Sequence, residues 1–179
     1  MPSFLRRLRA DRRGVAAVEF ALIAPVAILL YCGFAEITMA MMAERRAAHT
    51  AAVVADLVSQ APSVTAGDVT DIFKIGNAIL SPFPAAPLKL RVTSVQADAQ
   101  GVPQVQWSQS NGGLPALPAG NISGFPPALL AAGESVIMAD VQYAYVSPLR
   151  ITLPNALTFK DTFYLKPRRS PTVVLTGGG

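Results

Sequence analysis

Glu19 has the most chemistry to account for. It stands five residues past Gly14 in an apolar run, Val15-Ala16-Ala17-Val18-Glu19-Phe20-Ala21-Leu22, and Arg12-Arg13 precede the glycine. A carboxylate at membrane depth costs about 2.5–3.5 kcal/mol on insertion scales, so it usually has a task there. The Arg-Arg-Gly upstream offers a proteolytic cut between Gly14 and Val15. Such a cut creates an α-ammonium group on Val15. That cation can pair with Glu19 of a neighbouring helix, and the pairing offsets the desolvation of both groups. It requires a helix bundle whose subunits stagger by a few residues. The plainer alternative is a glutamate near a helix end that reaches out to the headgroups.

Other reactive side chains are sparse. The single histidine, His49, falls on the charged side of a helical pattern, and the single cysteine, Cys32, lies within the apolar run. Cys32 reads as a small apolar packing residue. No Gly-x-Ser-x-Gly, His-Glu-x-x-His, Cys-x-x-Cys or phosphate-loop pattern occurs. Asp68 and Asp71 are spaced as acids in a first helical turn, where they serve the helix dipole. The expectation is therefore no enzyme, no cofactor and no metal.

The chain has 179 residues, of which 51% are hydrophobic, and a net charge of +4. The excess charge has one address. Residues 1–14 hold Arg6, Arg7, Arg9, Arg12 and Arg13 against Asp11, which accounts for the whole +4; residues 15–179 are neutral. No basic stripe remains for phosphates, so nucleic acid is not an expected partner. The asymmetry instead follows the positive-inside rule, with the Arg-rich end cytoplasmic and the remainder across the membrane.

Glu19 and the cut site must be positioned by a helix. Val15 to Ala35 is 21 residues with one charge, roughly 31 Å of helix against a hydrocarbon core of about 30 Å. Glu36 ends that run and most simply marks its far interface. Ala43, Ala47, Ala51 and Ala55 continue at i, i+4 spacing, with Glu44, Arg45, Arg46, His49, Thr50 and Asp56 on other faces. One helix is expected from about 15 to 60, bent at Pro25 and ended by Pro62 and Gly67. The alanine stripe suits packing against the chain's own distal domain. It equally suits close approach between subunits, and the two uses can coexist on opposite faces.

Thr65-Ala66-Gly67-Asp68 looks like a capping start. Val69, Ile72, Phe73, Gly76, Ile79 and Leu80 follow at helical spacing until Ser81-Pro82-Phe83-Pro84. From Leu88 the period becomes two. Leu88, Leu90 and Val92 alternate in one strand, Val105 and Trp107 in the next, with Gly101 between them in a hairpin. Residues 110–128 read as loop, with a helical turn at Pro127–Ala131. Ile137, Ala139, Val141, Tyr143 and Tyr145 share a face of a third strand, and Phe159, Phe163 and Leu165 of a fourth. Four parts are expected: a leader 1–14, a transmembrane and extended helix 15–60, an α+β domain 61–170 built on a small antiparallel sheet, and a disordered tail 171–179.

Arg12-Arg13-Gly14-Val15-Ala16-Ala17-Val18-Glu19-Phe20-Ala21-Leu22-Ile23-Ala24-Pro25, continuing through Gly33-Phe34-Ala35-Glu36, resembles the TadE-like family of pseudopilins from the tight-adherence (Tad/Flp) branch of type IV pilus systems. Val141-Gln142-Tyr143-Ala144-Tyr145 and Phe163-Tyr164-Leu165-Lys166-Pro167-Arg168 resemble the family's closing strands and basic-Pro-Arg ending. Phe20, Glu36, Pro167 and Arg168 thus count as family-motif positions. The resemblance implies a pilin-like fold and a precursor cut between Gly14 and Val15 by a membrane prepilin peptidase. It implies a minor pilin that starts or caps an adhesion filament. Its partners would be other pilins and pseudopilins, an inner-membrane assembly platform and the membrane itself. The chain would sit in a bacterial inner membrane, N-terminus cytoplasmic and distal domain periplasmic, or in a surface pilus after assembly. TadF-like and TadG-like relatives have similar anchors, and TadG-like chains are usually longer. The competing readings are an uncut single-pass anchor whose periplasmic domain binds an envelope or secretion partner, and an enzyme on a membrane tether.

Overall fold

The computed structural model describes residues 14–177. The leader residues before Gly14 lie outside them. Helix α1 runs Val15–Ser59 as one 45-residue element with Pro25 inside it. It is followed by β1 (Ser63–Thr65), α2 (Ala66–Ile79), β2 (Leu88–Ala97), β3 (Pro103–Asn111), β4 (Gly120–Asn121), a short 3-10 turn Pro127–Leu129, β5 (Ser135–Tyr145), β6 (Leu157–Leu165) and β7 (Val174–Thr176). The architecture is α+β, as expected.

Helix α2 starts where the capping pattern predicts. The Asp68 N–H donates to the Thr65 hydroxyl at 3.1 Å, and the Thr65 N–H returns a bond to the Asp68 carboxylate at 2.8 Å. The main sheet has the order β4-β3-β2-β5-β6, and each neighbouring pair is antiparallel. One face packs on α1 and α2. Leu88, Leu90 and Val92 of β2 and Ile137, Ala139, Val141, Tyr143 and Tyr145 of β5 meet the helices there, with Phe159 and Leu165 of β6 at the margin. The other face carries Val95, Ala97, Val136 and Met138 and is covered by Phe125 and Leu130 of the long loop.

Alternation alone puts Val105 and Trp107 on one face; the structure puts them on opposite faces. Ser94 pairs with Trp107 and the next residue, Val95, with Val105, so Gln106 is the extra residue of a β-bulge. Trp107 thereby joins the helix-side core.

The tail expected to be disordered from Pro171 is ordered over its described part. β7 pairs in parallel with β1, from Ser63↔Val174 to Thr65↔Thr176. Val173 is buried, and its carbonyl accepts the Trp107 indole N–H at 2.7 Å. A buried indole needs an acceptor, and the tail supplies it.

Candidate functional site

Helix α1 divides into two lengths with opposite surroundings. From Gly14 to Tyr31 only Ala24 is even half-buried, and Phe20, Leu22, Ile23, Val26, Ile28, Leu29 and Leu30 are exposed. From Gly33 onward a stripe is buried: Gly33, Glu36, Ala40, Ala43, Ala47, Thr50, Ala51, Val54, Ala55, Val58 and Ser59. The steps of three and four residues keep that stripe on one face. The first length thus leaves its bulky apolar residues bare, while the covered stripe of the second is mostly small, which is the reverse of what water alone would select.

The first length holds the expected cut site and its acid. Gly14 is the helix N-cap, without a side-chain cap, and its carbonyl accepts the Val18 N–H at 3.1 Å. Val15 and Glu19 are both exposed. Among the described residues no ion pair involves Glu19.

In the second length the four alanines are buried in the chain's own core, at 0–1% exposure. Their small side chains let the sheet and α2 approach the helix axis closely. Of the two uses the stripe suits, contact with the distal domain is the one this arrangement makes. Thr50, expected on a charged face, is buried as well, and its hydroxyl donates to the Arg46 carbonyl at 2.8 Å. Gly76 of α2 makes this packing possible: a Cβ there would lie 3.0 Å from Leu90 Cδ1 and 3.1 Å from Thr50 Cγ2.

Glu36 does not present a charge at the far interface. It is fully buried. The β5–β6 connection wraps its carboxylate in donors. Ser147 Oγ donates to Oε1 at 2.6 Å and the Ile151 N–H to the same oxygen at 3.0 Å. Oε2 accepts the Thr152 N–H at 2.6 Å, the Leu153 N–H at 3.1 Å and the Thr152 hydroxyl. Arg150 within this loop takes a positive φ of 56°, a conformation that costs a non-glycine residue and is held here by the bonds on either side of it. Gly33, one turn earlier, leaves room for the loop, since a Cβ there would lie 3.0 Å from Thr152 Cγ2.

A second latch closes the other end. The Arg168 N–H donates to the Ser59 carbonyl at 2.9 Å and its guanidinium pairs with Asp56. A cation and a donor at a helix C-terminus meet the free carbonyls and the dipole there. Lys166, two residues earlier, bonds Glu134 at 2.8 Å. Glu36 and Arg168 therefore fasten the domain to α1 at points roughly 34 Å apart along the axis. Phe20, by contrast, has no part in this and is exposed.

A cleft of about 330 Å³ lies between the long loop and the outer sheet face, lined by Arg91, Phe125, Asp140, Thr162 and Tyr164 among others. Its charged groups are committed to each other: Arg91 meets Asp140 at 2.8 Å, and Thr162 donates to Asp140 at 2.7 Å. Among the described residues no group of three or more His, Cys, Asp or Glu residues is placed to hold a metal ion.

A bare apolar helix continued into a domain-bearing one fits a single-pass membrane anchor. Residues 14–56 match the family model described as TadE-like protein. The match begins at the helix N-cap and ends at the partner of Arg168, so the chain's likeness to TadE-like proteins lies in the long helix. No curated protein and no solved structure matches the chain.

Proposed function

We propose that the chain is a processed minor pilin or pseudopilin that helps initiate or cap a Tad-type adhesion pilus. The observation that carries this reading is the bare helix from Val15 to Tyr31, with Glu19 as its one charge, inside a TadE-like match that starts at Gly14. In this reading a prepilin peptidase cuts between Gly14 and Val15. The new Val15 ammonium of one subunit then meets Glu19 of the next, and the bulky bare residues pack against other pilin helices after leaving the bilayer. Before assembly the chain spans the inner membrane once, leader inside and domain in the periplasm, where it meets the assembly platform. The alternative, an uncut anchor that presents its domain to an envelope partner, uses the same helix but leaves the acid without a task.

Gly14→Val separates the two. It should leave the leader attached and abolish pilus assembly in cells that hold an active prepilin peptidase, read as loss of sheared filaments and of adhesion. Normal piliation by Gly14→Val cells would contradict the proposal.

A further inference from the structure

We propose that the first part of the β5–β6 loop, residues 146–152, is a foot that rests in the headgroup layer of the bilayer and sets the height of the domain above the membrane. This rests on reading Val15–Ala35 as the membrane-spanning segment. Three observations meet at the loop. First, it is pinned to the helix rather than free: four of the donors to Glu36 come from Ser147, Ile151 and Thr152, with Leu153 adding a fifth. Second, its outward side chains are apolar, with Val146, Leu149 and Ile151 45%, 47% and 46% exposed. Arg150 is the one charged residue between Val146 and Leu157. Third, the helix beside it stays apolar on its outer side, where Phe34, Ile37, Met41 and Met42 are exposed.

The occupant follows from continuity. With Glu36 hidden, the helix presents no outward charge from Phe20 to Ala43, a run of 24 residues, or roughly 36 Å. About 20 residues counted from Val15 bring the edge of the hydrocarbon core to Ala35. That is the residue beside Glu36, and so the level of the pinned loop. Leu149 and Ile151 then enter the boundary between headgroups and acyl chains, and Arg150 reaches lipid phosphates, as long cationic side chains at this level do. Glu36, satisfied by backbone and hydroxyl donors, lets a carboxylate sit at this depth without facing lipid.

Single tryptophan variants of the full chain in phosphatidylethanolamine–phosphatidylglycerol vesicles test this, with the spectrum of buried Trp107 subtracted. Leu149→Trp and Ile151→Trp should shift to the blue on reconstitution and be quenched by lipids brominated near the glycerol end of the acyl chain. Ala99→Trp, in the β2–β3 turn at the opposite end of the sheet, should show neither effect. Ile28→Trp reports the span itself and should be quenched by deeply brominated lipids. Water-like emission from both loop variants alongside a quenched Ile28→Trp would overturn the foot and leave the anchor reading standing. Unquenched emission at all three positions would remove both. Shielding of the loop variants only after a second protein is added would also overturn the foot, in favour of a protein partner.

Discussion

The two glutamates of α1 are placed in opposite ways. Glu36 is buried and receives five hydrogen bonds from a loop more than a hundred residues away. Glu19, about one turn into the helix, is exposed among bulky apolar side chains and makes no ion pair among the described residues. The halves around them differ in the same sense. The Glu36 half has a mostly small stripe that its own domain covers; the Glu19 half has bulky apolar residues that nothing among the described residues covers. An acid in an apolar helix is tolerated where donors surround it. The second half thus explains the fold, while the first half, bare and apolar, fits a membrane anchor and, in the reading proposed above, is completed by neighbouring helices.

The largest expected effect falls on the unfinished half. Glu19→Ala should still be cut before Val15 and should keep the unfolding temperature of the domain, yet its incorporation into sheared filaments should fall by about tenfold or more, since the partner charge is left unmet. Wild-type piliation by this variant would refute the pairing. Glu36→Ala should act on the finished half instead. Amide exchange at Ile151, Thr152 and Leu153 should accelerate by about tenfold or more as their charged acceptor is lost. Glu36→Gln should do little better, because its amide NH₂ would face donors. Unchanged protection in both variants would show that the loop holds itself.

Packing substitutions sharpen the contrast. Ala47→Leu should destabilise the domain by about 1–3 kcal/mol through overpacking, measured by thermal unfolding in detergent. Ala21→Leu, in the bare half, should stay within about 0.5 kcal/mol of the parent. Equal effects at the two sites would mean that the halves are not packed differently. Thr65→Ala, which removes the α2 cap, should cost about 1 kcal/mol, less than the overpacking at Ala47 and more than the change at Ala21.

Much of this was legible in the residues. The helix, its length and the strand faces of β2 and β5 follow from periodicity that a regular backbone preserves. The role of Glu36 was not. Three of its donors are backbone N–H groups, which every residue but proline carries, so no side-chain pattern announces them. The bulge at Gln106 breaks the assumption of strict alternation, and nothing in Val105-Gln106-Trp107 marks it. Strand β7 is three residues long and pairs with residues more than a hundred positions earlier, so its short run between Pro171 and Gly177 reads as tail. Lys166-Pro167-Arg168 stood out by resemblance, but its partners Glu134, Asp56 and Ser59 appear only in three dimensions.

The account depends most on the free amine that Glu19 would meet. The direct measurement is the N-terminal sequence and intact mass of the full chain extracted from membranes of cells with an active prepilin peptidase. The account predicts a chain that begins at Val15, without the residues through Gly14. A chain that retains its leader in those cells would contradict it.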